Sequence, residues 1–486
     1  MGAGESKTAE PRSQLNLDEE ERRIASGVFC SLAHGKKSFN KDSLQHFTSP
    51  VLDHQTSARL FDLLEGPLPQ KYQQHKGHHA RSPQHQSHEI NLHHFISHLA
   101  NLLKGDVPDL AHSCMLLASN SPKAVSAQDL ITFVNNILQS YEKLLMAHCS
   151  AYQSWIFAAA EDSHLRLARS LLSPLLHPDK PSIEASSQQM FTEEQVTDWL
   201  TQCSIFLQVL TQVLHGAFQF YQTEPQQMTF HPQLPHVRDT NWSRLKSMLD
   251  FPTVLYLNFS LPSELQTEWK LLFSSSLHGC SFSQLLQLIK NKGLTYIIVR
   301  DKDGYMFGGF AAVPWDLSPK FVGNSYCFLF TVKPSYCCYK PTGYNANFMY
   351  LNHQVQTLPN GLGMGGQFEF FGLWIDQSFD HGHSKASARG CTTYGSPRLS
   401  AKEEFEVDCL EVWAVGRKKK EGEEDEEEDE AVDGGKKAGK KSLLDKVDTA
   451  DKFLLDMVDK GTISDAMRDE PLVEETKAHS TIISPF

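Results

Sequence analysis

Polar and apolar positions in the first half of the chain follow the period of amphipathic helices. In "LDEEERRIASGVFCSL" acidic residues come first, and Ile24, Val28 and Phe29 form an apolar stripe. The following "AHGKKSFNKDSLQHF" adds a loop with one apolar residue, Phe39, and a second helix. This is the outline of an EF-hand, but the loop lacks the oxygen ligands that calcium needs. The pattern predicts an EF-hand-like helical module over residues 17–220, without calcium.

The same outline returns later in this half. In "FTEEQVTDWL" Thr192 can cap a helix, Gln195 stands at the third position, and apolar positions continue to Leu200. Between the two units lies a histidine- and glutamine-rich loop over residues 70–88. Just beyond it, His94 and His98 have the i,i+4 spacing of a metal-binding pair. The absence of a completing cysteine or carboxylate favours an ordinary helix start instead.

After about Trp242 the pattern changes to short runs of aromatic and β-branched residues, separated by turn signals. "LTYIIVRDKDGYMFGGFAAV" predicts strand, turn, strand, and "SYCFLFTV", "FEFFGLWID" and "FEVDCLEVWAV" predict further strands. Two helices are expected among them, in "LPSELQTEWKLLFSS" and in "SFSQLLQLIKNKG". We therefore expect an α+β chain with a linker over 221–249 and a sheet domain over 250–416 built on antiparallel strands.

The last seventy residues divide into three parts. Residues 417–441 alternate basic and acidic runs and are expected to be a disordered linker. Residues 442–461 then predict an amphipathic helix, before a flexible tail over 462–486. Docking of that helix on a partner is the favoured interpretation, and folding back on its own domain stays open. Its apolar positions are Leu443, Leu444, Val447, Leu454, Leu455 and Val458.

The opening "MGAGESK" fits the pattern for myristoylation of Gly2, at the start of a flexible segment over 1–16. One such chain anchors a protein only weakly, so a second contact would be needed. The chain shows neither a secretory leader nor an apolar run of membrane-spanning length, which predicts a cytosolic protein. The formal charge of −13 argues against nucleic-acid binding.

Candidate chemistry is weak. The glycines of "LPNGLGMGGQFEFFGLWID" precede a predicted strand rather than a helix, so a tight turn is favoured over a phosphate loop. "DKDG", with Asp301 and Asp303, begins like a calcium loop but lacks the closing glutamate. "SRLK" over 243–246 matches SxxK, a motif that chance often produces. His383 beside Ser384 lacks the nucleophile elbow of a hydrolase. No cofactor, metal site or catalytic set is predicted.

Several segments in order resemble the TLDc domain: "WKLLFSSSLHGCSFSQLLQLIKNKGLTYIIVRDKDGYMFGGFA", "PTGYNANFMYLN", "LPNGLGMGGQFEFFGLWIDQSFDHGHS", "CTTYGSPRLS" and "FEVDCLEVWAVG". The resemblance implies a two-sheet β-sandwich with flanking helices and no agreed catalytic centre. It also implies binding to the vacuolar-type proton ATPase through the C-terminal helix.

The branch of the TLDc family that this chain is most similar to is linked to lysosomal membranes, through a myristoyl group carried here on Gly2, and to mTOR signalling. The expected function is therefore a non-enzymatic adaptor in the cytoplasm and on the cytosolic face of the lysosome. The alternatives are a protein that protects against oxidants through Cys280 or Cys391, a hydrolase using Ser384 and His383, and a calcium sensor.

Overall fold

The N-terminal half is helical. A computed structural model describes residues 17–67, 89–160, 162–176, 189–221, 230–387 and 389–416. Its first part contains, in chain order, α1 (Glu19–Ala33), β1 (Ser38–Phe39), α2 (Lys41–Thr48), α3 (His54–Glu65), β2 (Ile90–Asn91), α4 (Leu92–Lys104), α5 (Val107–Ser119), β3 (Val125–Ser126), α6 (Ala127–His148), α7 (Gln153–Phe157), α8 (Ser163–Leu171), α9 (Ser173–Leu176), β4 (Met190–Phe191), α10 (Glu193–Gln202) and α11 (Ser204–Ala217).

Local capping sets where two of these helices begin. Asp18 caps α1 and Thr192 caps α10, each in a capping box with the residue three positions on. Each cap satisfies amide groups that a helix start leaves without partners. The helix start predicted at Thr192 is therefore confirmed.

Four two-residue strands join the helical units in pairs. β1 pairs antiparallel with β2, and β3 with β4. β1 lies between α1 and α2, whereas β2, β3 and β4 lead into α4, α6 and α10 within two residues. The two small sheets therefore connect segments that are far apart in sequence.

The C-terminal part contains β5 (His236–Arg238), α12 (Phe251–Phe259), β6 (Glu268–Ser274), α13 (Ser275–His278), α14 (Phe282–Ile289), β7 (Thr295–Asp301), β8 (Met306–Ala311), β9 (Phe328–Lys333), β10 (Cys337–Tyr339), β11 (Met349–Asn352), β12 (Gly361–Gln367), β13 (Phe370–Asp376), β14 (His381–His383) and β15 (Glu404–Val415). The helix expected in "SFSQLLQLIKNKG" is confirmed as α14, capped by Ser281. Much of the helix expected in "LPSELQTEWKLLFSS" is wrong, because residues from Glu268 onward form β6.

One long strand links two layers. The start of β15 pairs with β14, and the rest pairs with β7 and β6. All eleven strands consequently belong to one hydrogen-bonded set, in which only the β5–β6 pair is parallel. The layers face each other: a Cβ placed on Gly309 of β8 would lie 2.2 Å from the Met364 sulfur of β12. The expected sandwich of two sheets is thus a single sheet that folds over at β15.

The outer face of the layer that contains β7 packs on the helical half. Trp155 of the helical half meets Trp269 of β6 and Trp413 of β15, with ring centroids 6.3 and 6.0 Å away. Trp242, within the segment expected to be a linker, lies 5.4 Å from Trp155. Trp155, Trp269 and Trp413 belong to one apolar core that runs from α1 into the strands, and the partly buried Trp242 packs against it; these four residues are the tryptophan cluster. The two halves therefore share a core.

Candidate functional site

The residues singled out for lipidation and for partner docking lie outside the described part of the chain. These are Gly2, Leu443, Leu444, Val447, Leu454, Leu455 and Val458, together with the 70–88 loop and the charged linker. They stay predictions.

The glycine run is a buried strand, which corrects the expected turn. Gly361, Gly363, Gly365 and Gly366 belong to β12, and the turn follows at residues 368–369. A Cβ on Gly363 would lie 2.5 Å from the Phe371 ring and 2.9 Å from the Trp374 ring. Bare backbone is therefore needed because aromatic rings lie against this strand. The run opens no helix, and the geometry gives no support to a phosphate loop.

Those rings form a small aromatic cluster apart from the core between the layers. Phe371 and Trp374 stack at 4.4 Å, and His383 stacks on Trp374 at 6.0 Å. Burial lowers the pKa of His383 to about 4, so its imidazole is neutral at pH 7. Its Nε2 is buried and has no hydrogen-bond partner among the described residues.

Ser384 has a structural position. Its hydroxyl donates to the Gly372 carbonyl at 2.6 Å and accepts from the Leu399 amide at 2.8 Å. The side chain is fully buried and makes no hydrogen bond with His383, although both residues are described. Neighbouring side chains at a strand end point to opposite sides, so adjacency in sequence does not create a catalytic pair. The geometry does not favour the hydrolase alternative.

The "DKDG" segment is a hairpin turn. One Asp301 oxygen accepts from the Tyr305 amide at 2.8 Å and the other from the Ala401 amide at 3.2 Å. Asp303 pairs with Lys402 at 3.0 Å. Both carboxylates thus have protein partners of their own.

The remaining candidates are the two cysteines and the serine of the SxxK match, and they do not form a common site. Cys280 is exposed, whereas Cys391 is buried and burial raises its thiol pKa, which disfavours the reactive thiolate. Ser243 donates to the Asn241 side chain at 2.6 Å. All ten cysteines, each within the described residues, are unpaired.

His94 and His98 do come together, with ring centroids 5.8 Å apart on α4. The Nε2 atom of His98 lies 3.2 Å from the Gly66 carbonyl, and burial lowers the pKa of His98 to about 4. Over the described residues, no group of three His, Cys, Asp or Glu side chains is arranged to hold a metal ion. The pair is part of the packing of α4.

The surface formed by the described residues includes two clefts whose linings contain polar residues. The histidine cleft, about 610 Å³, lies beside His381, His383 and Trp374. Two lysines on its rim are paired, Lys302 with Glu406 and Lys402 with Asp303. The junction cleft, about 450 Å³, is lined by the start of α11, the turn after α12, the segment entering β9, and Lys340. It contains residues of both halves.

Sequence reasoning missed Glu411. This fully buried carboxylate accepts hydrogen bonds from the Trp413 indole at 2.9 Å, the Ser247 hydroxyl at 2.9 Å and the Met248 amide at 3.0 Å. Burial raises the pKa of Glu411. The Glu411 carboxylate connects the segment before α12 to β15. In the sequence it is one polar position of a strand with alternating polar and apolar residues, so no signal marks it.

Comparison with known proteins identifies the domain and the relatives. A sequence profile described as the TLDc domain matches residues 243–416. Several relatives carry the name MTOR-associated protein MEAK7, among them the following three. The Gallus gallus protein is 40% identical over 392 residues, 78% of this chain and 79% of its own length. The Homo sapiens protein is 34% identical over 430 residues, 86% of this chain and 90% of its own. The Danio rerio protein is 32% identical over 493 residues, 98% of this chain and 100% of its own.

None of the helices that the structure describes combines the length and apolar character needed to cross a bilayer. The resemblance to the TLDc family is confirmed by the match at 243–416 and by relatives that align over 79% to 100% of their own lengths. The chain therefore belongs to the MEAK7 family of TLDc-domain proteins.

Proposed function

We propose that this chain is a non-enzymatic adaptor that associates with the mTOR kinase, directly or through other proteins. The observation that carries the proposal is the name of its relatives, MTOR-associated protein MEAK7, together with alignment over up to 98% of the chain. Side-chain geometry adds support, because the Ser384 hydroxyl is engaged by two backbone groups and Cys391 is buried.

The adaptor acts on the cytosolic face of the lysosomal membrane, held by a myristoyl group on Gly2 and by the vacuolar-type proton ATPase. The "MGAGES" start and the implications of the TLDc resemblance support this part of the proposal. A single acyl chain and one protein contact are each weak anchors. Once the first contact has formed, it holds the second at a high effective concentration, so the two together bind more tightly than either alone.

Flotation of lysosomal membranes tests the anchor. Gly2→Ala should reduce the membrane-bound fraction, whereas Gly4→Ala, which keeps the modified position, should not. An equal membrane-bound fraction for both variants and the unaltered protein would count against the anchor.

Co-purification from detergent-solubilised lysosomes tests the partners. The intact chain should recover ATPase subunits and mTOR, and a chain truncated after Gly416 should lose the ATPase if residues 442–461 make that contact. Equal recovery by both would place the ATPase contact within residues 1–416. Recovery by neither would remove the ATPase from the proposal.

We also infer that the helical half consists of EF-hand-like units that do not bind calcium. The antiparallel pairing of β1 with β2 and of β3 with β4 supports this, since short paired strands join such units. The β1 segment between α1 and α2 carries Lys36 and Lys37 where calcium would need oxygen ligands. Calcium titration calorimetry should give no heat of binding; a saturable heat would overturn the inference.

A further inference from the structure

The junction cleft has walls formed by both halves of the molecule. Ser204 and Gln208 come from α11, Leu261 and Gln266 lie after α12, and Tyr326 precedes β9. Its volume of about 450 Å³ falls in the range of ligand-binding pockets, about 300–1,000 Å³. Such a cleft accommodates a few side chains, not a whole folded surface.

Hydrogen bonds hold these walls in place. The Gln266 amide donates to the Leu261 carbonyl at 2.8 Å, which closes the turn after α12. In the segment before β9, the backbone amide of Tyr326 donates to the Asn324 side chain at 3.0 Å. Preformed walls lower the entropy that binding must overcome.

One wall presents an exposed aromatic ring beside apolar surface. Tyr326 is 57% exposed, whereas Leu261 and Phe328 next to the cleft are buried. Tyrosine is enriched at protein interfaces because it combines a large apolar face with a polar tip. An apolar side chain inserted here would be desolvated against the Tyr326 ring.

The charge of the cleft is equally specific. Lys340 is the one charged residue among the described residues that line it, and within that part of the chain no acidic side chain forms an ion pair with Lys340. Apart from Lys340, Tyr326 and Cys327, the polar lining is serine and glutamine, which can hydrogen-bond to the backbone of an extended peptide. The histidine cleft differs, because its two lysines are already neutralised by carboxylates.

We propose that the junction cleft binds a short acidic and hydrophobic peptide segment of a partner protein. A carboxylate of that segment pairs with Lys340, and an apolar side chain packs against Tyr326. The proposal goes beyond the mTOR, ATPase and membrane assignments and does not depend on them. Because both halves line the cleft, a bound peptide would stabilise the junction between them.

The test uses the full-length chain and a phage-displayed library of random peptides. Selection should enrich sequences with an Asp or Glu close to a Leu, Ile or Phe. A fluorescein-labelled peptide of the consensus sequence then reports affinity by anisotropy. Tyr326→Ala and Lys340→Glu should each weaken binding by about tenfold or more, which corresponds to loss of one buried interface contact. Lys340→Arg should retain most of the affinity.

Matched controls lie outside the cleft on the same domain. Tyr344→Ala removes a tyrosine that is 80% exposed, and Lys320→Glu reverses an exposed lysine; both should bind as the unaltered chain does. Melting temperatures show that each variant is folded. Selected peptides without acidic residues, peptides indifferent to Tyr326→Ala and Lys340→Glu, or no enrichment at all would each overturn the proposal.

Discussion

Replacing Gly363 by alanine tests whether the glycine run serves aromatic packing. The added Cβ would lie 2.5 Å from Phe371 Cδ1 and 2.9 Å from Trp374 Cε3. Carbon atoms pack at about 3.5–4.0 Å, so the Phe371 ring would have to move by about 1 Å. That ring is 1% exposed and is stacked on Trp374 at 4.4 Å, which leaves little space for the movement.

The magnitude follows from two opposing effects. Overpacking a well-filled site lowers the free energy of unfolding by about 1–3 kcal/mol. Replacing glycine restricts the unfolded chain and returns about 0.4–1 kcal/mol. Gly363→Ala should therefore destabilise the protein by about 1–2 kcal/mol, a fall in Tm of about 1–2 °C for a cooperative unit of about 400 residues.

Gly27→Ala is the matched control with the opposite sign. Gly27 lies within α1, and a Cβ there would meet no atom within 4 Å. Alanine is the better helix former by about 0.5–1 kcal/mol, so Tm should rise. Calorimetric scans of both variants make the comparison. A Gly363→Ala protein that melts at or above the unaltered protein would refute the aromatic-packing explanation of the run.

Three further predictions concern the serine, the histidines and the junction. Ser384→Ala should lower the free energy of unfolding by about 1–3 kcal/mol, because two buried backbone groups lose their hydrogen-bond partner. In the unaltered chain, a serine-directed fluorophosphonate should not label Ser384. Specific labelling of Ser384 would contradict this prediction. Acidification from pH 7 to 5 should lower Tm, because burial lowers the pKa values of His98 and His215 to about 4 in the folded protein, below the value of about 6.5 in the unfolded chain. Each histidine therefore contributes stability that is lost as pH falls through that interval, about 2 kcal/mol for each by pH 5. His215→Leu should flatten the dependence of Tm on pH, and an unchanged dependence would contradict this explanation. Trp155→Ala should lower the free energy of unfolding by about 3–5 kcal/mol. The variant should still show one calorimetric transition, because both halves share the tryptophan cluster. Two separate transitions would show that the halves have independent cores.

Local signals carried much of the fold. The capping box at Thr192 and the serine cap before α14 involve residues within three positions, so a short window of sequence contains the whole interaction. The β-hairpin at Asp301 was predictable for the same reason, since an Asp-Gly turn fixes its own backbone. The motifs of the TLDc domain are likewise short and ordered along the chain, and they were sufficient to indicate the family that the match at 243–416 confirms.

Other features depended on contacts between distant segments. Residues 261–275 favoured a helix locally, yet Glu268 to Ser274 form a strand because β15 and β5 offer hydrogen-bonding partners on both sides. Ser384 beside His383 suggested chemistry, and only the positions of Gly372 and Leu399 showed that its hydroxyl is occupied.

The sequence by itself determined where helices start, where hairpins turn, which family the chain belongs to, and that Gly2 and residues 442–461 are candidates for attachment. Tertiary structure alone decided that the glycine run lies under aromatic rings, that one strand joins both layers, and that Tyr326 and Lys340 line a common cleft. The physical reason is range: caps and turns are satisfied within a few residues, whereas burial, ring stacking and clefts arise from segments that meet only after the chain has folded.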